Sequence, residues 1–438
     1  MSSRLGPIQL TEGIHRRNAA TLFYSGMMTV TFITFINLLN PYLLTEHLKM
    51  SMTIQGDFTG NMYVFTEIVT LALTIPLGVL SDRVGRKIIF ATGFIIIGCG
   101  FVLMPSATTG FWLIVWRMLV AVGIACCTTM TASLLADYPD NKSRGKLIAF
   151  SGIFSALGIV IISSVILAGL PEFFKGRGAS PFDAGNYTYW VAAGLAVFTG
   201  FVALAGIKNI IKPKEAAEPP LVQMFKTGLA EILRRPRLTL GTGATFVARG
   251  DLTVLAAFFS LWLVSVFTAG GIDSAAASGK AGMLFGITQL AVPLFLPFVG
   301  FFVDKVDRVT ALSSAMGLAA VGYLALGLVP SPLESWLIYP AGILTGMGEA
   351  AVIVTAPALV GQEAPRRIRG SVFGVVSFFG AIGVLVNVKV SGLAFDNISY
   401  QSPFLYMGIL NALIALWALS VRLRHGEKRD DPAEAADH

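Results

Sequence analysis

Ionisable side chains interrupt several of the long apolar stretches in this 438-residue sequence. Three are carboxyls, Glu67, Asp251 and Glu349, and two are guanidinium groups, Arg117 and Arg249. Burial raises the pKa of a carboxyl and a nearby arginine lowers it, so a change of surroundings can make a carboxyl bind or release a proton. We therefore interpret the carboxyls as proton-coupling candidates and the arginines as their alternating partners or as contacts for an anion.

The energetic cost of these five charges indicates that they do not face lipid unpaired. Each costs about 2.5–3.5 kcal/mol in mid-membrane, so five cost about 12–17 kcal/mol, comparable with the net stability of a whole protein, about 5–15 kcal/mol. They must pair or line a wet cavity. Arg117 and Glu67 could instead form a static buried ion pair. A sixth charge, Lys389, is a further solute candidate, although it could simply extend to the membrane surface.

The segment VARGDLTV at 247–254 places two of these charges only two residues apart. Residues with this spacing are about 200° apart around a helix, so Arg249 and Asp251 cannot pair with each other. We expect one to point into a cavity and the other toward a neighbouring helix, which Gly250 allows to come close.

Three amides occur in similar apolar surroundings. Asn37 and Asn40 precede Pro41 in NLLNPYLL, and Gln289 ends the triplet ITQ. These side chains could bind a solute, or the asparagines could merely bridge helices. The sequence contains no G-x-x-x-x-G-K-[ST], H-E-x-x-H or G-x-S-x-G pattern, so we predict no catalytic residues, no metal, no cofactor and no ATP drive.

The composition of the chain assigns the class of protein. Hydrophobic residues make up 55% and charged residues 13%, with a mean hydropathy of +0.73, whereas soluble domains carry about 25% charged residues. A membrane core of about 30 Å needs about 20 apolar residues per helix. Twelve such spans are predicted, approximately at 19–45, 58–80, 88–106, 111–136, 147–170, 188–207, 238–266, 281–303, 309–330, 335–360, 371–394 and 402–421. The predicted fold class is therefore an all-α polytopic membrane protein.

The distribution of lysine and arginine predicts the orientation. With the amino terminus inside, the inner segments hold 25 of the 32 Lys and Arg residues and the outer loops hold four. Inner loops are enriched in these residues, so both termini are predicted to be cytoplasmic. The net charge of +7 then needs no nucleic-acid partner. The predicted location is the plasma membrane, or the inner membrane of a bacterium.

An internal repeat relates the two halves of the chain. GVLSDRVGR at 78–86 follows the second predicted span, and GFFVDKVDR at 300–308 follows the eighth. Each has a glycine, an acid four residues later and an arginine four further on: Gly78, Asp82 and Arg86, then Gly300, Asp304 and Arg308. The loops after spans 4 and 10 each have an acid and a later Arg-Gly pair: Asp137 and Arg144, then Glu363 and Arg369.

These matches recur at an offset of 222 to 226 residues and predict a duplicated six-helix unit, an arrangement expected of transporters. The predicted division is a bundle at 1–207, a cytoplasmic linker at 208–237, a second bundle at 238–425 and a disordered tail at 426–438.

The loop GVLSDRVGRK resembles the signature of the major facilitator superfamily, which is matched at Gly78, Asp82, Arg83, Gly85, Arg86 and Lys87. Arg117, followed by small residues that allow close helix packing, resembles the helix-four motif of that superfamily. The resemblance implies two pseudo-symmetric six-helix bundles in which helices 1, 4, 7 and 10 line a cavity and helices 3, 6, 9 and 12 support it.

The resemblance also implies a cytoplasmic gate. Asp82 would accept hydrogen bonds from a neighbouring helix N-terminus, and Arg86 would reach Asp137. The second copy has Asp307 at the position of Gly85, which would weaken its closing interaction.

The predicted function is secondary active transport of a small organic solute, amphipathic or anionic, by a monomer in the lipid membrane. Alternating access and coupling to protons are the predicted mechanism. A proton-independent uniporter is the nearer alternative, and a transporter-fold sensor or scaffold is the more distant one. The sequence leaves the solute and the direction of transport open.

Overall fold

The computed structural model describes residues 4–6, 8–140, 143–210, 220–330 and 335–426. Within them, 12 helices are long and apolar enough to cross a membrane, which confirms the predicted spans. In chain order, spans 1 to 12 are Arg16–His47, Met52–Val84, Arg86–Ser106, Gly110–Asp137, Arg144–Lys175, Pro181–Gly206, Pro236–Ala269, Ser274–Lys305, Arg308–Gly327, Ile338–Glu363, Arg369–Asn397 and Ser402–Arg424. Apart from Gly426, the predicted tail lies outside the described residues.

Two of the described spans contain π-helical segments. In span 1 the α-helix Arg16–Leu38 is followed by a short helix at Asn40–Tyr42 and a π-helix at Leu43–His47. Pro41 explains the break, because its ring clashes with the carbonyl four residues earlier and it donates no hydrogen bond. Span 5 contains a π-helix at Gly158–Leu167. Such segments are often found at functional sites.

Several small elements were not predicted from the sequence. Two-residue strands, β1 at Arg4–Leu5 and β2 at Ile8–Gln9, pair antiparallel before span 1. Short 3₁₀ turns occur at Met52–Ile54, Met104–Ser106 and Arg366–Ile368.

A linker helix, Leu221–Arg234, occupies part of the region that was predicted only as a basic linker. It places Phe225, Leu229 and Ile232 on one face, as expected of an amphipathic helix. That face packs against Val372 and Val375 of span 11.

The chain divides into two compact units. Unit 1 comprises Met1–Ala216 and Ala256–Gln289, and unit 2 comprises Ala217–Leu255 and Leu290–His438. The predicted division into bundles follows the sequence repeat, and it stays a prediction.

Close glycine contacts hold spans together within each unit. In unit 1, a Cβ added at Gly123 of span 4 would lie 2.6 Å from the carbonyl oxygen of Gly93 in span 3. This confirms the close packing predicted for the small residues after Arg117. In unit 2, a Cβ at Gly322 of span 9 would lie 2.6 Å from the backbone nitrogen of Thr345 in span 10. Small residues let the backbones of membrane helices approach in this way.

Span 9 offers a matched pair of substitutions that tests this packing. Gly322→Ala should destabilise unit 2 by about 1–3 kcal/mol, because the added methyl group has no space against the Thr345 backbone. At Gly317 a Cβ would meet nothing within 4 Å, so Gly317→Ala should be neutral or stabilising by up to about 1 kcal/mol through helix propensity. Thermal unfolding of the purified variants checks both. Equal midpoints for the two variants would contradict the packing.

Candidate functional site

Arg117 of span 4 forms the centre of a polar cluster in unit 1. The residue is only 3% exposed. Its Nη2 donates to the Asn37 side-chain oxygen at 2.8 Å and its Nη1 to the Ile36 carbonyl at 3.5 Å, both in span 1. The guanidinium carbon lies 4.8 Å from the ring centroid of Tyr63 in span 2. One arginine thus joins spans 1, 2 and 4.

The charge of Arg117 is held by neutral groups in these contacts. Both hydrogen bonds end on amide or carbonyl oxygens and neither goes to Glu67, the partner suggested by the sequence. Glu67 is half-buried one helical turn beyond Tyr63, and residues four apart share a helix face. The Arg117 Nε and the buried Tyr189 hydroxyl have no hydrogen-bond partner among the described residues. The Arg117 Nε and the Tyr189 hydroxyl could therefore donate hydrogen bonds to an acidic group.

The two asparagines of span 1 have different contacts. Asn37 accepts from Arg117, whereas Asn40 donates to the Thr59 hydroxyl of span 2 at 3.2 Å. Asn40 is therefore positioned as the helix-bridging residue of the pair, and Asn37 belongs to the polar cluster.

Asp251 of span 7 is the centre of a second cluster, in unit 2. It is 2% exposed, and its Oδ1 accepts a 2.7 Å hydrogen bond from the Asn411 side chain of span 12. The Tyr323 hydroxyl of span 9 donates to the Asp251 carbonyl oxygen at 2.8 Å. The buried carboxyl of Glu349 in span 10 is close enough for the two acids to repel each other when both are charged. Two predicted proton candidates thus interact.

Arg249 lies on the other side of span 7, as the two-residue spacing predicted. It is exposed, and a Cβ added at Gly380 of span 11 would lie 2.6 Å from its Cδ. A Cβ at Gly250 would lie 2.2 Å from the Asn387 side-chain nitrogen, also in span 11. Gly250 therefore does let a neighbouring helix come close. The partner of Asp251 is Asn411, which the sequence did not suggest.

The two remaining intramembrane candidates belong to different units. Gln289, buried in span 8, belongs to unit 1 and Lys389, half-buried in span 11, belongs to unit 2.

The signature loop of unit 1 contains the predicted contact between Arg86 and Asp137. Buried Arg86 at the start of span 3 forms a salt bridge with Asp137 at the end of span 4, and lies 3.6 Å from Asp82 of span 2. Its Nη1 also donates to the Ser133 carbonyl at 2.7 Å. Gly85, with φ of 101°, joins spans 2 and 3 in a conformation that favours glycine.

The hydrogen bonds predicted for Asp82 from a neighbouring helix N-terminus stay a prediction, and a further residue, Asn209, contacts the start of span 3. Asp82 contacts Arg86, whereas the backbone nitrogen of Lys87, at the start of span 3, donates to the Asn209 side chain at 3.4 Å. Asn209 follows span 6 and is distant in sequence, which is why the motif did not reveal it.

The second copy of the loop in unit 2 uses a different arginine. Arg308 lies 3.6 Å from Asp304 and donates to the Val303 carbonyl at 2.6 Å. Arg237, directly after the proline that begins span 7, lies 3.3 Å from Asp307 and 3.4 Å from Glu363. Arg237, which lies within ion-pair distance of both acids in unit 2, was not predicted from the sequence.

Asp307, which stands where the first copy has Gly85, stabilises the start of span 9. Its side chain accepts from the backbone nitrogens of Val309 at 2.9 Å and Thr310 at 3.3 Å, and so caps span 9. The substitution expected to weaken this loop therefore supplies both a helix cap and an ion-pair partner.

The other residues of the predicted gate lie at or near the surface. A Cβ at Gly78 or Gly300 would meet nothing within 4 Å. Lys87 is half-buried, and three arginines are exposed: Arg83, Arg144 and Arg369.

The segment before span 1 braces the loop that carries Asp137. Leu10 forms a β-bridge with Pro139, the Thr11 nitrogen donates to the Tyr138 carbonyl at 2.9 Å, and the Asp140 nitrogen donates to the Gln9 carbonyl at 3.0 Å. Leu10 is buried. The amino-terminal segment thus fixes the loop that follows Asp137.

Tyr138 connects this loop to the end of span 6. Its hydroxyl accepts from the Lys208 backbone nitrogen at 3.0 Å, and the Lys208 ammonium donates to the Gly13 carbonyl at 2.6 Å. Burial raises the pKa of Tyr138 to about 12. The hydroxyl is therefore neutral at physiological pH.

A second set of polar contacts lies at the other end of the spans in unit 1. The Ser274 hydroxyl of span 8 donates to the Glu46 carboxylate of span 1 at 2.6 Å, and Lys175 of span 5 pairs with Asp273. Although burial opposes it, the hydrogen bond from Lys175 holds the pKa of Asp273 below its usual value. Unit 1 thus has inter-span polar contacts at both ends.

The chain resembles known membrane proteins in its twelve spans, its repeated signature loop and its buried charges. The sequence matches the family model of the Major Facilitator Superfamily over residues 22–270 and 241–437. The chain belongs to that superfamily. It is an integral multi-pass membrane protein and a membrane transporter.

Individual proteins that resemble this chain share less than 30% of its residues. The magnetosome protein MamH of Paramagnetospirillum magneticum (strain ATCC 700264 / AMB-1) is 26% identical over 432 residues, which cover 97% of this chain and 96% of MamH. The magnetosome protein MamZ of Magnetospirillum gryphiswaldense is 27% identical over 393 residues, which cover 87% of this chain but only 58% of MamZ. The crystal structure of the nucleoside transporter NupG shares the fold, with a TM-score of 0.69 at 15% identity over 92% of this chain and 98% of NupG.

Arg237→Gln and Arg308→Gln test the assignment of the buried ion pairs in unit 2. Arg237→Gln removes the cation between two buried carboxylates and should destabilise the protein by about 3–5 kcal/mol. Arg308→Gln affects a pair with the exposed Asp304 and should cost about 0–1 kcal/mol. Thermal or denaturant unfolding of the purified proteins measures the difference. A larger loss for Arg308→Gln would show that the assignment is wrong.

Proposed function

We propose that the chain is a secondary active transporter of a small organic solute, and that it works as a monomer by alternating access with coupling to protons. Membership of the superfamily supports transport. The observation that carries proton coupling is the pair of interacting, buried carboxyls of Asp251 and Glu349 in unit 2.

Two acids in such surroundings are suited to carry a proton. Burying a charge is costly, and two like charges that interact raise that cost further. One bound proton removes the repulsion, and the pair rather than either residue then determines when the proton leaves. Water access to this pair in one state and not in another would couple proton binding to the transport cycle. Glu67 is the third candidate in this proposal.

The gate contacts support alternating access. Arg86 with Asp137, and Arg237 with Asp307 and Glu363, lie at the ends of spans on the side of the termini. The Glu46–Ser274 contact lies at the opposite end of the spans in unit 1. We propose that the two ends open in turn, as ion pairs on one side break. The lysine and arginine bias supports a cytoplasmic location for the termini.

The Arg117 cluster supports a solute with an acidic group. The guanidinium is buried among neutral oxygens and an aromatic ring, and its Nε is a spare donor in the described part of the chain. A charge-assisted hydrogen bond from Arg117 to a carboxylate or phosphate would compensate the buried charge. Asn37 would then position the arginine rather than bind the solute alone.

A stability screen followed by transport in liposomes tests the proposal. Organic acids, sugars, amino acids and cationic dyes are added to the purified protein, and a compound that binds only the folded state raises the unfolding temperature. The stabilising compound is then supplied to proteoliposomes across an imposed pH step. Accumulation that follows the pH step is the expected result.

The variant that replaces all three acids, Glu67→Gln with Asp251→Asn and Glu349→Gln, should lose this pH-driven accumulation, because no intramembrane carboxyl remains to carry the proton. Glu172→Gln is the control, since that acid is exposed near the end of span 5 and belongs neither to the predicted gate nor to either buried cluster. Undiminished coupling in the triple variant would overturn the proton assignment. Equilibration without accumulation by the unmodified protein would support the uniporter, and binding without any flux would support a sensor or scaffold.

A further inference from the structure

Unit 2 contains an apolar groove that the proposed transport mechanism does not use. It has a volume of about 410 Å³ and lies between spans 8, 9 and 10. Phenylalanines of span 8, among them Phe298 and Phe302, form one wall, and Ala311, Ala315 and Ala351 line the opposite side. Ligand pockets in proteins typically measure about 300–1,000 Å³, so the groove is large enough for part of an organic molecule.

The sequence explains why a groove forms here. The three alanines leave space that larger side chains would fill. Span 8 contains Pro293 and Pro297, and a proline inside a helix removes a backbone hydrogen bond and bends the helix. The Thr355 hydroxyl in the lining donates to the Ala351 carbonyl at 2.9 Å. Its hydrogen-bonding need is thus met within span 10, and the lining is almost wholly apolar.

The position of the groove in the chain places it in one leaflet. Span 8 ends at Lys305 and span 9 begins at Arg308, at the side of the termini because an even number of spans precedes this turn. The lining of span 9 runs from Ala311 to Leu318, about 10 Å at 1.5 Å per residue. Half of a hydrocarbon core of about 30 Å is about 15 Å. The groove therefore extends along most of one leaflet, as an acyl chain does.

A cation stands at the surface end of the groove. The Lys305 ammonium lies 4.0 Å from the ring centroid of Phe301, another residue of the lining. Lys305 is exposed and forms no salt bridge with a residue that the structure describes. Arg308 beside it is already engaged by Asp304 and by the Val303 carbonyl. Lys305 is thus available to an anionic group at the membrane surface.

We propose that this groove binds an anionic phospholipid of the leaflet on the side of the termini. One acyl chain lies between spans 8, 9 and 10, and the headgroup phosphate contacts Lys305. The charge at the end of an apolar groove selects the headgroup, since cations near a membrane surface attract anionic lipids. Binding of a lipid in this groove is independent of which solute is transported and of proton coupling.

Lipid binding to the purified full chain tests the proposal. Phosphatidylglycerol or phosphatidylcholine is added in detergent, and native mass spectrometry measures how much lipid stays bound. The unmodified protein should retain more phosphatidylglycerol. Lys305→Gln should lower that preference about fivefold, the effect of one lysine near an anionic surface. Lys280→Gln, at the opposite end of span 8, is the matched control and should keep the preference.

A second pair of variants tests the acyl-chain part. Ala315→Phe fills the groove and should reduce the retention of both lipids, whereas Val321→Phe, at an exposed position of the same span outside the lining, should not. Phe298 is 69% exposed at the rim, so Phe298→Ala leaves the interior packing intact and should also weaken retention. Equal retention of the two lipids by the unmodified protein, or undiminished retention in both Ala315→Phe and Phe298→Ala, would overturn the proposal.

Discussion

The cost of an uncompensated charge in hydrocarbon governs the arrangement of this protein. Each such charge costs several kcal/mol, so the spans contain few ionisable groups. Two of these groups, Arg117 and Asp251, have specific polar neighbours. Arg117 is held by an amide, a carbonyl and an aromatic ring, and Asp251 by an amide. Neutral groups can stabilise a charge in these clusters without fixing it in an ion pair. A charge held in this way is less tightly fixed to one partner than a charge in a tight salt bridge.

The two copies of the signature loop use different residues to cap the helix that follows each of them. In unit 1 the helix junction uses a left-handed glycine, Gly85, and an amide from Asn209 caps the next helix. In unit 2 Asp307 caps its own helix, and its charge is compensated by Arg237. The acid–arginine pairing is kept in both units, although the arginine comes from a different position. A degenerate motif copy is therefore not evidence of a lost interaction.

Periodicity and composition predicted the parts of the structure that depend on local physics. The twelve spans follow from the length of apolar runs, and the opposite directions of Arg249 and Asp251 follow from helix geometry. The sequence could not identify Asn411, Asn209 or Arg237 as partners. Each reaches its contact from a span or loop remote in sequence, and an amide or arginine at a helix end is too common to signal one contact.

The cluster at Asp251 also changes how the supporting helices are understood. The superfamily resemblance assigned spans 9 and 12 to support. Yet Asn411 of span 12 donates to the Asp251 carboxyl, and Tyr323 of span 9 donates to the backbone carbonyl oxygen of Asp251. A buried carboxylate depends on its hydrogen-bond donors, so the Asn411 amide favours the charged form of Asp251. The Tyr323 hydrogen bond ties span 9 to the backbone of span 7. A supporting helix can therefore contribute hydrogen bonds to the surroundings of a buried acid, and the polar contacts of the spans are not confined to the helices that were expected to line the cavity.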